Sequence, residues 1–271
     1  MCEIGKKFTD IQYYNKEMQK GMEDKLFFLN KLPKNQKYAF IDFGCADGSM
    51  INALSCILEG SDNIFIGYDI SETMIDLAKT NYHGPSNSEV LFTNNWDEVI
   101  SKIKSLGTIR YKTVMILSSV IHEVYSYASS QEDINTFWNR VFYSNFDYIC
   151  IRDMCPSENI DRESNHYDVI KIRDKADKSQ LKEFENEWGS ISNKRNLIHF
   201  LLKYRWKVNW KRECYENYFP ISTQVLIDYF KDFNIDYFER FRVSFLDECL
   251  KKDFDIELED YTHIKAIFSK K

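Results

Sequence analysis

The sequence predicts an α/β fold, in which a mostly parallel, doubly wound sheet carries helices on both faces. Two observations predict it. Short apolar segments alternate with helical patterns five times between residues 38 and 154, which is the rhythm of parallel strands joined by helices. The first apolar segment also runs directly into the turn Gly44–Gly48, and such turns are common where a strand feeds the first helix of a parallel sheet.

The predicted elements follow in order along the first half of the chain. A helical pattern over 8–31 ends before Pro33, which cannot continue a helix. Strands are predicted at 38–43, 63–70, 89–94 and 146–154, and a further strand begins the segment 112–127, which then turns into a helix. The spacing of apolar residues predicts helices at 49–58, 71–80, 96–106 and 134–142.

The second half of the chain departs from this alternation. Residues 155–220 hold charged, aromatic-rich helical patterns and no clear strand. A helix at 222–233 precedes two predicted strands, 237–246 and 261–271, which we expect to pair antiparallel at the sheet edge. The sheet then has seven strands, the last one antiparallel. We expect a single domain with four parts: an N-terminal helical cap (1–34), a core (35–154), a helical insert or lid (155–220) and a C-terminal helix with two strands (221–271).

Composition excludes several classes of protein. The chain is 44% hydrophobic with only 9 glycines and 4 prolines, which is unlike disordered or collagen-like sequences. Its net charge of −6 does not favour steering toward nucleic acid. None of its 7 cysteines forms a Cys-x-x-Cys pair, so no metal site is predicted. With no signal-peptide pattern and no apolar run of ~20 residues, we expect a soluble, cytoplasmic protein that does not contact a membrane.

The turn Asp42-Phe43-Gly44-Cys45-Ala46-Asp47-Gly48 indicates a ligand. Small residues at alternate positions allow close approach of the backbone. A dinucleotide-binding fingerprint would place its third glycine at Ser49, and no Gly-Lys-Ser/Thr phosphate loop is present. Asp42 instead suits a ligand with an ammonium group. The second strand ends in Asp69, a position from which a carboxylate can accept hydrogen bonds from both hydroxyls of a ribose.

These features together resemble the class I S-adenosylmethionine-dependent methyltransferases, a Rossmann-like family. The turn resembles the family's Asp-x-Gly-x-Gly-x-Gly motif, and Asp69 matches its ribose-binding acid. The resemblance covers roughly residues 38–154, and the two C-terminal strands match the usual ending of the family. One departure is Ala46, which stands at the middle glycine and adds a methyl group close to the cofactor.

The resemblance implies S-adenosylmethionine as the cofactor and a set of residues that bind it. Asp42 would contact its amino group, Asp69 its ribose and Ile70 its adenine. Asn94, Asn95 or Trp96 would flank the adenine, although Trp96 suits ordinary helix packing equally well. The remaining members lie beside the methionine part or beneath the transferred methyl: Gly44, Cys45, Ala46, Gly48, Leu117 and Ser118.

Two candidate catalytic residues, His122 and Glu123, follow the fourth strand. A histidine has the right kind of pKa for a general base, but such a histidine can also be structural. Glu123 suits the first turn of a helix equally well. Arg152 and Asp153 end the fifth strand, where they would bind an acceptor or form a buried ion pair.

The acceptor site is predicted between the N-terminal helix and the insert. The segment 194–212 contains seven basic residues and no acidic one. Its residues Arg205, Trp206 and Trp210 would bind the acceptor by charge and stacking, and Tyr13 and Tyr14 would close the other side. The same segment also fits an amphipathic helix whose aromatic residues pack inward.

Three functions follow as hypotheses. The first is an S-adenosylmethionine-dependent methyltransferase that acts on RNA, a nucleotide or a small molecule. The second is a catalytically idle Rossmann-like module that binds RNA or protein through the basic segment. The third, an NAD-dependent enzyme, is disfavoured by Ser49.

Overall fold

The structure is a computed structural model that describes residues 21–106 and 111–271. Tyr13 and Tyr14 lie outside the described residues. Seven strands form one sheet in the order β3-β2-β1-β4-β5-β7-β6. They are β1 (Tyr38–Phe43), β2 (Ile64–Tyr68), β3 (Glu89–Thr93), β4 (Lys112–Ser118), β5 (Tyr148–Met154), β6 (Phe233–Phe241) and β7 (His263–Lys270).

The predicted fold class is confirmed. The first five strands pair in parallel, and β7 pairs antiparallel with both β5 and β6. All six residues of β1 are buried at the centre of the sheet. The strand order reverses between β1 and β4, which is where open α/β sheets bind ligands.

Helices connect the strands and cover both faces. Those of the core are α1 (Met22–Lys25), α2 (Ser49–Ile57), α3 (Glu72–Asn81), α4 (Trp96–Leu106), α5 (Ile121–Tyr127) and α6 (Gln131–Tyr143). The insert and C-terminal part add α7 (His166–Lys175), α8 (Lys178–Trp188), α9 (Lys194–Lys203), α10 (Trp210–Tyr215), α11 (Thr223–Tyr229) and α12 (Ser244–Phe254). The N-cap side chains of Ser71 and Ser130 fix the starts of α3 and α6.

The prediction for 237–246 was wrong in its boundaries. The strand β6 begins earlier, at Phe233, because Phe233 to Phe241 pair with β7 across one bulge between Ile235 and Tyr237. Residues 244–254 form α12, which the sequence analysis missed. Leu246 and Leu250 are four residues apart, and both pack toward the insert, so the helical spacing was present in the sequence.

A third apolar core, separate from the two that flank the sheet, holds the insert together. It unites residues from Ile160 to Phe219 with residues from Leu250 to Leu258. The helical layer above the sheet therefore consists of the insert and α12 together.

Packing, as well as any ligand, requires small residues at alternate positions of the turn after β1. Gly44, Ala46 and Gly48 have φ values of 81°, 46° and 77°. A Cβ on Gly44 would lie 2.8 Å from Cγ2 of Val120, and one on Gly48 would lie 2.9 Å from Cβ of Ala78. Packing is thus a second reason for these glycines, beside the expected approach of a ligand. They let the turn fit beneath α5 and against α3.

Gly67 in β2 provides a test of how tightly this region packs. A Cβ there would lie 2.5 Å from the ring of Phe92. We therefore expect Gly67→Ala to lower the free energy of unfolding by about 1–3 kcal/mol, the usual cost of overpacking, as measured by urea denaturation. The double variant Gly67→Ala/Phe92→Leu should lose less than the sum of the two single changes. Additive losses would contradict the packing described here.

Candidate functional site

A cavity of about 450 Å³ lies at the carboxyl ends of β1, β2 and β4. The turn after β1 forms its floor, and the start of α5 forms one side. Among the predicted cofactor-binding residues, those that line it are Asp42, Gly44, Cys45, Ala46, Asp69, Ile70 and Ser118. A further cavity of about 290 Å³ continues past Asp69 and Ile70 toward α6.

Asp69 ties the turn to the end of β2. Its Oδ2 accepts a hydrogen bond from the backbone N–H of Ala46 at 3.0 Å, and its Oδ1 accepts one from the N–H of Ser71 at 2.9 Å. Burial raises the pKa of Asp69, and these two hydrogen bonds oppose the rise. Each carboxylate oxygen retains a second lone pair, so Asp69 can still accept hydrogen bonds from a ligand in the cavity.

Asp42 places a buried carboxylate in the same cavity. It is 3% exposed, and burial raises its pKa to about 7 while nearby Lys25 opposes the rise. No side chain within the described part of the chain donates a hydrogen bond to it. A carboxylate in this setting is stabilised by a cation that enters the cavity.

Ser118 contributes an unsatisfied polar atom. Its Oγ is buried and has no hydrogen-bond partner among the described residues, although the residue lines the cavity. Native proteins rarely leave such an atom without a partner. Ser118 thus has a hydroxyl that can still form a hydrogen bond, in a residue that lines the same cavity as Asp42 and Asp69.

A second cavity of about 350 Å³ adjoins the first. Lys25, Ser119, Glu123 and Arg212 line both. Its other walls come from the insert, from β5 and from the start of α12, and most of them are apolar or aromatic: Met154, Leu202, Trp206, Tyr218, Val243, Phe245 and Leu246. A ligand in the first cavity would therefore face a separate, partly apolar chamber.

His122 and Asp153 form a buried ion pair next to this chamber. The distance from His122 Nδ1 to Asp153 Oδ1 is 2.7 Å, and the two side chains are 6% and 2% exposed. Burial alone would lower the pKa of His122, but the attraction and hydrogen bond of Asp153 outweigh it and raise that pKa to about 9. His122 is therefore an imidazolium at neutral pH, a state that can donate a hydrogen bond and cannot accept a proton.

Arg152 belongs to a different ion pair. Its guanidinium bonds to Asp24 at 2.8 Å, and its Nη1 donates to Ser119 Oγ at 3.1 Å. Burial would raise the pKa of Asp24, but Arg152 and Lys265 hold it below its ordinary value. Arg152 also lines the second cavity, so it joins α1 to the wall of that chamber.

A charged network that the sequence analysis missed closes the far side of the second cavity. The guanidinium of Arg212 lies 2.8 Å from carboxylate oxygens of both Glu123 and Glu216, and Tyr127 donates to Glu216 at 2.7 Å. Burial raises the pKa of Glu216 to about 7, and repulsion from Glu213 adds to the rise. Glu123 was a predicted candidate, but its pairing with Arg212 was not predictable because only folding brings 123, 212 and 216 together.

The other predicted cofactor-binding residues do not line either of the two cavities. Trp96 packs edge to face against Phe43 and Tyr68 in the core. Of its two predicted roles, this arrangement matches helix packing and not contact with an adenine. Asn94 is exposed, and the Asn95 side chain accepts a hydrogen bond from the N–H of Asp97 at the start of α4. Leu117 is fully buried, and Gly48 packs against α3.

The basic segment 194–212 buries or pairs much of its charge, although Lys207 and Lys211 are exposed. Its Lys203 is fully buried and donates to the carbonyl oxygens of Cys214 and Glu216. Arg205 pairs with Asp253 at 2.6 Å, and Trp210 is buried with its Nε1 donating to Glu183. Of the three residues of this segment that were predicted to bind an acceptor, Trp206 alone lines the second cavity.

Two further histidines, His199 and His263, are buried. His199 is buried, with Nε2 near the carbonyl oxygen of Glu216 and the N–H of Tyr218. His263 is buried beside Thr262. Over 21–106 and 111–271, no three His, Cys, Asp or Glu residues are grouped so as to hold a metal ion, and no helix is long and apolar enough to span a bilayer.

Comparison with known proteins finds similar folds and no close relative. No family model matches the chain, and no curated protein matches its sequence. The plantazolicin methyltransferase BamL, crystallised with SAH and a substrate analogue, is 12% identical over 97% of this chain and 89% of its own, with a TM-score of 0.47. Human N-acetylserotonin methyltransferase in complex with SAM is 10% identical over 95% and 55%, with a TM-score of 0.47. At these values the chemistry of the site must be judged from its own residues.

The His122–Asp153 pair predicts a pH dependence of stability. Because the pKa of His122 is raised from 6.5 to about 9, its contribution is fully present below pH 6.5 and is lost as the pH rises through 9. The contribution is roughly 3 kcal/mol, since a tenfold change in proton affinity is worth about 1.4 kcal/mol. Urea denaturation of the wild type and of His122→Gln should show a difference that shrinks between pH 7 and 10. A constant difference over this range would contradict a charged pair.

Proposed function

We propose that the protein is an S-adenosylmethionine-dependent methyltransferase that acts on a small-molecule acceptor. The observation that carries this proposal is the first cavity, where Asp42 and Asp69 place two carboxylates on either side of the turn after β1. Their separation along the strand ends suits a ligand with an ammonium group at one end and a ribose at the other. The second cavity adjoins the first, and some residues line both.

The residues of the first cavity fit the cofactor part by part. Asp42 would hold the ammonium group of the methionine moiety, and Asp69 would accept hydrogen bonds from the ribose. Exposed Ile70 and the cavity beyond it would receive the adenine. The orphaned Oγ of Ser118 would gain a hydrogen-bond partner. Bound there, S-adenosylmethionine would supply an electrophilic methyl group.

The protein's own part in the reaction is alignment and exclusion of water, because methyl transfer is an in-line displacement. The residues that line both cavities set the direction from which the acceptor approaches the methyl group of the cofactor. His122 is unsuited to act as a base because Asp153 keeps it protonated. Glu216 lines the second cavity and has a pKa near 7, which suits it to take a proton from an acceptor that carries one.

The second cavity supports a small acceptor more than RNA. Its volume of about 350 Å³ lies in the range of small-molecule sites, and most of its walls are apolar or aromatic. Of the basic residues in 194–212, Lys203 is buried and Arg205 and Arg212 are paired with acids, whereas Lys207 and Lys211 are exposed. The same pairing disfavours an idle RNA-binding module.

Calorimetric titration tests the cofactor. We expect micromolar binding of S-adenosylmethionine and S-adenosylhomocysteine by the wild type. Asp69→Ala should weaken both by about 10- to 100-fold, since hydrogen bonds to a charged group contribute roughly 1.5–3 kcal/mol. Asp76→Ala is the matched control, because Asp76 is exposed on the adjacent helix α3. An absence of binding by the wild type would overturn the proposal.

Methyl transfer into cell-extract fractions tests the acceptor. With tritiated S-adenosylmethionine, label should appear in the low-molecular-mass filtrate and should resist RNase, since the volume of the second cavity suits a small molecule. His122→Gln should retain activity at pH 7 within the range explained by its loss of stability. Label that is confined to RNA and removed by RNase would show that the assignment of a small acceptor is wrong.

A further inference from the structure

Lys25 lines the site, but it has no role in forming the turn after β1 or in the proposed binding of the ribose. It lies at the end of α1 and lines both cavities. Its ammonium group forms no hydrogen bond and no ion pair with any residue in 21–106 or 111–271. Most lysines reach solvent or a carboxylate, so an ammonium group turned into a cavity without a partner needs a counter-ion.

The charges around Lys25 come from four elements. Asp42 of β1, Asp47 of the turn and Glu123 of α5 are the acids that favour its charged form, and Asp42 has the largest effect. Arg152 of β5 opposes them. Burial is the strongest influence, and it lowers the pKa of Lys25 to about 8. Lys25 thus remains mostly protonated at pH 7, with its charge only partly compensated.

The acids near Lys25 have other partners or roles, so an anionic group of a ligand can bind to Lys25. Glu123 is already bonded to Arg212 at 2.8 Å, and Asp47 accepts hydrogen bonds from the backbone and side chain of Ser49. Asp42 is the acid that would hold a ligand's ammonium group. In an α-amino acid, the carboxylate carbon lies about 2.5 Å from the amino nitrogen. A ligand whose amino group contacts Asp42 therefore brings its carboxylate into this same corner of the cavity.

We propose that Lys25 binds the α-carboxylate of the cofactor's methionine moiety and so selects nucleosides that retain this carboxylate. Asp42 and Lys25 together then form a complementary pair for a zwitterionic amino acid, with one charge held from β1 and the other from α1. This inference rests on the proposed function, because it assumes that the first cavity binds S-adenosylmethionine.

A ligand pair separates this inference from the binding of the nucleoside itself. S-adenosylhomocysteine carries the amino acid, whereas 5′-methylthioadenosine has the same nucleoside and thioether without it. Calorimetric titration of both ligands should be made with the wild type, Lys25→Met and Lys25→Arg. Lys31→Met is the matched control, since Lys31 is an exposed lysine six residues further along.

The expected result is a change in preference. Lys25→Met should weaken binding of S-adenosylhomocysteine by about 10- to 100-fold and leave 5′-methylthioadenosine within about twofold of the wild type. Lys25→Arg should recover part of the loss, because it keeps a cation. Decarboxylated S-adenosylmethionine should bind the wild type and Lys25→Met with nearly equal affinity. Lys31→Met should change none of these affinities.

Three results would overturn the inference. Unchanged binding of S-adenosylhomocysteine by Lys25→Met would show that the carboxylate lies elsewhere. An equal loss for both nucleosides would assign Lys25 a structural role. If the wild type bound neither nucleoside, the proposed function would fail and this inference with it, whereas the first two results leave the proposed function intact.

Discussion

The carboxylate of Asp153 is the interaction on which the architecture of both cavities depends. It accepts hydrogen bonds from the backbone N–H groups of Val120, Ile121 and Met154 and from the imidazolium of His122, at 2.7–2.9 Å. It thereby joins the end of β5 to the start of α5. Because this junction is buried, its loss would leave an uncompensated charge, which typically costs about 3–5 kcal/mol. It fixes the segment from Ser119 to Glu123, whose two end residues line both cavities.

The opposite side of the first cavity depends on a second carboxylate with a double function. Asp69 holds the turn through the N–H of Ala46 and also faces the cavity. Gly44 and Gly48 supply two left-handed residues of that turn and leave room for Val120 and Ala78. Ala46 adopts the same left-handed region at φ 46°, which costs roughly 1–2 kcal/mol for a residue with a Cβ. Its hydrogen bond to Asp69 offsets part of that strain.

Local patterns in the sequence were enough to predict the sheet and much of the first cavity. Apolar runs identified the strands, and parallel strands necessarily bring their carboxyl ends to one edge, so Asp42 and Asp69 were expected to meet. Pairings between distant residues were not predictable in this way. His122 joins Asp153 across 31 residues, and Arg212 reaches Glu123 across 89. Composition gave no sign that Lys203 would be buried, because a basic segment has the same composition whether its charged groups face solvent or backbone carbonyl oxygens.

Lys25 shows a further limit of the sequence. Nothing in a short N-terminal helix marks one lysine among several, and its position between two cavities arises only from the packing of α1 beside β5 and β7, where Asp24 is bonded to Arg152 and Lys265. Trp96 shows the converse, since an aromatic residue at a strand end was equally suited to stacking on a ligand and to the core, where it lies.

The most direct test of the central claim is a crystal structure of the protein grown with S-adenosylhomocysteine. The account predicts electron density for the ligand in the cavity beside the turn after β1. Its amino group should lie at Asp42, its ribose hydroxyls at Asp69 and its sulfur toward the wall shared with the second cavity. Density with the ribose at Asp42, or a ligand bound elsewhere on the molecule, would contradict the account.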